Sequence, residues 1–431
     1  DSLLSIFSLE GSNNNDVTLA EELQAQKHKK KKKKGQVTAV AEKKTPAPDP
    51  KVVDYNKITK GAKSTNGVFT TYLSKEGKLY FELSEKDVKG RDFLISNRIA
   101  KTSDTNDFVA GQMVSDPVMV RFGFEKEKVT MYLAQYESSC REGDPMTPAF
   151  LKNFTDPVLK VYPKVAEKGD KIVIEVTDLF GTPEKLITPL NSQKPMPGQQ
   201  AVGNRFNQKN SYIESAKAFP ENIEIKSVMS FDSESGVPYT ITTHRSVVRL
   251  PETPMKTRHA NRAFGFFSSD RSLFTTNSDK LEKYSFIHRW KLEPKKEDME
   301  KYLAGELVEP QKQIVYYVDT AFPDKWRSAI IQGINDWNIA FAKAGFKNAI
   351  VGKPYPSSSV DPSFDPDDMR YSCFKYAATA TPNAMGPSHI DPRSGEILTG
   401  DVIWYHNVIS LVHNWRFIQT AAADPRVRKS V

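Results

Sequence analysis

Two cysteines, Cys140 and Cys373, are all that the 431 residues contain. So few exclude a disulfide-stapled scaffold and any cysteine-rich zinc module, and leave room for one bridge or none. No apolar run approaches the roughly 18 residues of a membrane-spanning helix, so no transmembrane segment is expected. Seven histidines are present: His28, His244, His259, His288, His389, His406 and His413. No two stand in the His-Glu-x-x-His spacing that sets two imidazoles on one helix face with a glutamate between them. His406 and His413 are two helical turns apart, too wide for one ion. Each histidine is read as a surface or packed side chain. Also missing are the Gly-x-Ser-x-Gly nucleophile turn and the glycine-rich phosphate loop. Judged by residues alone, the chain carries no complete catalytic set.

Charge of one sign is scarce outside a single segment. Between Lys27 and Lys44 nine lysines face one acid, Glu42, a surplus equal to the whole net charge of +8. Such a run can bind a polyanion by counterion release. No aromatic residue is interleaved to stack on bases, so it reads as a solvated spacer and no nucleic-acid partner is expected. Thr45-Pro46-Ala47-Pro48-Asp49-Pro50 extends it. Residues 1–54 are expected to be a disordered Lys/Pro-rich leader.

What is present is mostly β-pattern. Val68–Leu73 and Leu79–Leu83 flank a polar turn holding Gly77, and Val118–Phe124 and Val129–Leu133 form a second hairpin pattern. Asp92–Ser96, Lys171–Val176, Ile223–Val228 and Tyr239–Thr243 add further strands. A β-rich antiparallel domain over 55–292 follows. After Leu292 the texture changes. Ile314–Val318 suits a buried strand. Trp326, Ile330, Gly333, Ile334, Trp337 and Phe341 recur at helical spacing, which predicts one helix of about five turns with a buried stripe, ended by Gly345. Ala349–Val351 resumes a strand, so this is a parallel β-α-β unit. Met369–Tyr376 and Ile397–Tyr405 are two more strands, Ala384–Ile390 with its Pro387 an edge strand, and Val408–Thr420 the start of a helix. Asp361, Asp365, Asp367 and Asp368 lack calcium-loop spacing and read as a solvated acidic loop. Arg258–Phe267 mixes cations and aromatics and reads as an aromatic loop packed at a domain junction.

Several segments resemble a known family. Ile314–Val318, Ile334-Asn335-Asp336-Trp337-Asn338, Phe341–Phe346 and Gly386–Val402 resemble the upper half of a metzincin-type protease domain. Pro254–Phe267 and Phe286–Leu292 resemble the end of the uncharacterised β-rich region that precedes it in the bacterial Met-zincin metalloproteases. The likeness spans most of residues 55–431. It implies an α+β molecule: a β-rich antiparallel N-terminal domain, then at 293–431 the upper, mixed-sheet-plus-helix half of a zincin-type domain, stopping before the zinc helix. It further implies a portion of an exported zinc-dependent endopeptidase, in the periplasm, at the outer-membrane surface or outside the cell. Zinc is expected only in the full-length protein, with no metal ligand or catalytic residue in these 431 residues. The partner would be a peptide or protein substrate, laid along Ala384, Met385, Gly386, Pro387 and Ser388 by strand addition. The alternative is a non-catalytic binding or structural subunit of a cell-surface complex.

Overall fold

Short runs of alternating apolar and polar residues, broken by turn-forming glycines, build a β-rich α+β molecule. The computed structural model describes residues 53–103, 108–187, 205–232 and 236–426. The expected leader lies almost wholly outside them. Described residues 53–261 and 266–426 belong to one compact unit, and the short segment 262–265 to another.

In chain order the first strands are β1 (Lys63–Asn66), β2 (Thr70–Leu73), β3 (Leu79–Ser84), β4 (Asp92–Thr102), β5 (Val118–Glu125), β6 (Lys128–Leu133) and β7 (Ser138–Cys140). They are followed by β8 (Val158–Lys168), β9 (Lys171–Glu175), β10 (Arg205–Phe206), β11 (Tyr212–Ala218), β12 (Asn222–Asp232), β13 (Tyr239–Arg249), β14 (Ser268–Phe274) and β15 (Glu282–Ile287). All but β7, β14 and β15 join one antiparallel sheet, ordered β1-β2-β3-β9-β8-β6-β5-β4-β13-β12-β10, with β11 also on β12. The sheet curls until β11 returns to β1 and β2. There the Val68 N–H donates to the Phe219 carbonyl at 2.9 Å, and the Ala218 N–H to Thr65 Oγ1 at 2.8 Å. Gly67 permits this approach, because a Cβ would stand 2.2 Å from the Phe219 oxygen. Inside the curl Phe69, Phe81, Phe93, Phe122 and Phe180 pack ring on ring, with Leu79, Val120, Val129 and Ile174 around them. Each such buried side chain contributes about 1.5–3 kcal/mol.

Both expected hairpins form, β2–β3 through Gly77 at φ +81° and β5–β6. Strands β12 and β13 run on past the apolar patches that mark them in sequence, because their polar residues Ser230, His244, Arg245 and Ser246 are buried too.

The C-terminal part adds β16 (Ile314–Val318), β17 (Ile350–Pro354), β18 (Ser372–Ala377), β19 (Ala384–Met385), β20 (Ser388–Asp391), β21 (Glu396–Gly400) and β22 (Val402–Tyr405). Five of these form a mixed sheet, β17-β16-β18-β22-β19, in which β19 alone is antiparallel. The β-α-β unit is as expected, with β16 and β17 parallel and Gly345 at φ +89°.

Three expectations are corrected here. The five-turn helix is interrupted, Asp324–Asp336 and Asn338–Lys343 meeting at Trp337. Its apolar stripe is only partly buried: Ile334 is 8% exposed, but Trp326 is 37% and Trp337 51% exposed. Ile330, Ile334 and Phe341 do pack with Ile314, Val318 and Ile350 of the sheet, and two asparagines complete that face. Asn338 accepts from the Ile350 N–H and donates to its carbonyl, and Asn335 accepts from the Gly352 N–H at 2.9 Å. They satisfy the outer edge of β17, and Trp337, between them in sequence, points elsewhere. Finally, Ile397–Tyr405 is two strands in two sheets. The break at Gly400-Asp401 matches one at Gly386-Pro387, where the Asp401 N–H donates to the Pro387 carbonyl at 2.8 Å. Beyond it β20 pairs with β21 as a separate ribbon.

Candidate functional site

The edge-strand segment 384–388 is divided by that corner. Ala384 and Met385 lie on β19, opposite Trp404 and Ile403 of β22. Gly386 and Pro387 make the turn, and Ser388 opens β20. Met385 packs with Ile403, Tyr405, Ala377 and Val109, so the loop around Val109 covers one face of the edge. Among the described residues no strand pairs with the outer side of β19. An extended chain could add there through main-chain hydrogen bonds.

Behind this edge lies a buried charged cluster that joins the two sheets. Arg98 of β4 reaches Glu224 of β12 at 3.3 Å and Asp401 at 3.2 Å. Asp401 also takes Lys375 Nζ at 2.7 Å and the Cys373 N–H at 3.0 Å. Glu224 accepts from Ser246 and Asn222 and meets His244 Nε2 at 2.6 Å. Lys226 pairs with Asp367 at 2.6 Å. Arg98, Lys226 and Lys375 thus face Glu224, Asp367 and Asp401, three cations to three carboxylates.

His389 of β20 is 3% exposed and meets the Ser96 hydroxyl at 2.7 Å. Burial, reinforced by Arg98, pushes its pKa down to about 4. Burial also lowers that of His244, against the pull of Glu224. Burial would raise the Glu224 carboxyl, but His244 and Arg98 hold it below the usual range. The same contest leaves Asp367 well below the carboxylate range, through His244, Lys226 and Arg98.

The acidic loop is therefore not solvated as expected. Asp367 and Asp368 are consumed by Lys226 and by a bidentate Arg370, and Asp365 takes Lys217 at 2.8 Å. Asp361 caps its own loop through Ser363. Charges of opposite sign on β11 and β12, distant in sequence, draw the loop down. The Arg258–Phe267 loop also departs from expectation, since Phe266 and Phe267 are exposed. Backbone bonds hold the segments around it, the Ile287 N–H to Arg258 and the His288 N–H to Phe267, so its rings are not needed for anchoring. Cys140 and Cys373 are free thiols, and burial pushes the Cys373 thiol up to about 12.

A cleft of about 600 Å³ opens where the end of β13 faces β16 and β21. Val315, Ile397, Leu398 and Trp290 give it apolar walls, and Lys291, Lys312, Arg249 and Arg370 a basic lining. Glu396 also lines it, with Oε2 shut from water and without a hydrogen-bond partner among the described residues. Burial raises its pKa, although Lys291 and Lys312 pull it down. No sequence motif marks this cleft, because its walls come from six separate segments.

Residues 52–102 match a family described as Domain of unknown function (DUF5118), and residues 111–295 match another, Domain of unknown function (DUF5117). Strands β1 to β4 fall in the first and β5 to β15 in the second, yet β4 lies between β5 and β13 in one continuous sheet. No curated protein and no solved structure matches the chain. Among the described residues no helix is long and apolar enough to cross a membrane.

Proposed function

We propose that residues 293–431 are the substrate-facing half of an exported zinc-dependent endopeptidase. The observation that carries the reading is the mixed sheet whose antiparallel strand, β19, sits at the edge with no strand on its outer side among the described residues. The parallel β-α-β unit beside it adds support. Among the described residues no group of three or more His, Cys, Asp or Glu side chains could hold a metal ion. These residues therefore do not fit a zinc site, and no bond-breaking step is derived through them. Their part is positioning: the β19 main chain aligns an extended peptide, and the charged cluster behind β20 and Asp401 fixes that edge on the β-rich sheet.

The test is expression of the whole natural reading frame beside the 1–431 chain. Chelator-sensitive casein hydrolysis and one bound zinc in the former, with neither in the latter, are expected. A full-length protein without zinc or hydrolysis overturns the reading and leaves the non-catalytic cell-surface subunit in its place. Within an active protein, Ala384→Pro removes an edge N–H, which here donates to Asn383 Oδ1 at 2.8 Å and which a peptide carbonyl would take over, and should raise KM for casein. An unchanged KM would remove β19 from substrate binding.

A further inference from the structure

One end of the three-stranded sheet β15-β14-β7 gathers cations and bare aromatic rings. The Ile287 N–H donates to the Arg258 carbonyl at 2.9 Å and the His288 N–H to the Phe267 carbonyl at 2.8 Å. The Arg289 guanidinium donates to the Lys256 carbonyl at 3.0 Å. Three consecutive residues thus pin Lys256, Arg258 and Phe267 beside the end of β15, and Arg289 adds a third cation. Residues 253–269 contain no aspartate or glutamate. The flanking acids are turned to other partners, Glu252 to Arg91 at 3.1 Å and Asp270 to the Ser285 hydroxyl. Among the described residues Lys256, Arg258 and Arg289 join no ion pair, so their charge is not neutralised. Phe266 and Phe267 are 55% and 65% exposed, and among the described residues neither ring stacks on another. Only main-chain carbonyls anchor this segment, so both rings stand in water without serving the fold.

We propose that this loop is a membrane-docking surface, with Phe266 and Phe267 entering the headgroup region of an anionic phospholipid bilayer and Lys256, Arg258 and Arg289 meeting its phosphates. Such a surface takes rings and cations together. A neutral apolar surface leaves the cations unmatched, and a soluble anion leaves the rings in water. Single-stranded nucleic acid needs a groove to follow its backbone. Here Arg258–Asn261 and Phe266–Ser268 are exposed throughout, a projection that suits a broad surface. The proposal does not rest on the endopeptidase reading, which concerns a different sheet, so either can fail alone.

The test is co-sedimentation of the 1–431 chain with vesicles of phosphatidylglycerol and phosphatidylcholine in equal parts, and with phosphatidylcholine alone. Lys29→Ser through Lys34→Ser are present in every chain, because the lysine run binds anionic surfaces by charge alone. This parent chain should partition to the anionic vesicles and several-fold less to the neutral ones. Phe266→Ser with Phe267→Ser should weaken partition roughly tenfold or more, the scale of withdrawing a large apolar side chain from a buried site. Lys256→Ser with Arg258→Ser should weaken it by a similar factor, roughly fivefold per charge, and flatten its salt dependence. Circular dichroism and an unaltered melting temperature show the variants folded, as expected for exposed positions. Four results overturn the proposal: no partition at millimolar lipid, equal partition of parent and ring variant, equal partition to the two kinds of vesicle, or tighter binding of an oligothymidylate that the ring variant abolishes.

Discussion

His389 makes a quantitative test of how β20 is held on the β-rich sheet. Its ring is buried against Ser96 and close to Arg98, and its folded pKa is about 4 against about 6.5 for an exposed imidazole. The sign follows from proton uptake. Below pH 6.5 the unfolded chain takes a proton that the folded chain refuses until about pH 4, so unfolding is favoured as pH falls through that window. The slope approaches about 1.4 kcal/mol per pH unit for one site. Between pH 7 and pH 5 the integral is about 2 kcal/mol, and by pH 4 about 3 kcal/mol. His244 is shifted the same way and adds to the slope. Glu224 and Asp367 have lowered pKa values, so their contribution is complete above the unfolded carboxylate value near 4 and is lost only below it. Above pH 5 these carboxylates drop out; Glu396, raised by burial, acts with the opposite sign, and the difference between wild type and a variant at His389 cancels it. Urea unfolding followed by tryptophan fluorescence, on wild type and His389→Gln, measures the effect. Glutamine keeps an acceptor for Ser96 and does not titrate. From pH 7 to pH 5 the variant should lose about 2 kcal/mol less than wild type. Equal pH slopes in the two proteins would refute the reasoning.

Other perturbations follow from the same contacts. Asp401→Ala leaves Arg98 and Lys375 facing each other without their shared carboxylate, and should cost about 3–5 kcal/mol in urea unfolding. Trp337→Ala, at a position 51% exposed, should cost less than about 1 kcal/mol, while Ile334→Ala on the same helix should cost about 2–5 kcal/mol. Asn338→Ala strips the bonds to the Ile350 N–H and to the Ile350 carbonyl and should cost about 1–3 kcal/mol, with faster amide exchange at Ile350.

Local signals carried the regular parts of the fold well. The hairpin at Gly77 and the stop at Gly345 rest on neighbours a few residues away, and such neighbours are visible in sequence. The strand Ile314–Val318 and the edge position of Ala384-Met385 were legible from composition, an apolar β-branched run and a nearby proline, although their partners lie farther along the chain. On the helix, Ile330, Ile334 and Phe341 face the sheet as expected, and the two tryptophans depart for the opposite reason. Helical spacing alone cannot tell a tryptophan that meets a sheet from one that meets solvent. The deciding partners of Asn335 and Asn338 are Gly352 and Ile350, on the strand the helix has yet to reach. The charged cluster was illegible on the same ground. Arg98, Glu224, Asp367 and Asp401 span three hundred residues and meet only once both sheets are in place. One clue was present: Glu224 stands between Ile223 and Ile225 in a strand buried on both faces. A carboxylate there must either be neutral or find a cation, because isolated burial of its charge is prohibitive. Arg98, one strand beyond β13 in the sheet, is that cation. A charge inside an apolar strand is therefore a prediction of long-range pairing, and here it points to the joint that sets the β19 edge on its support.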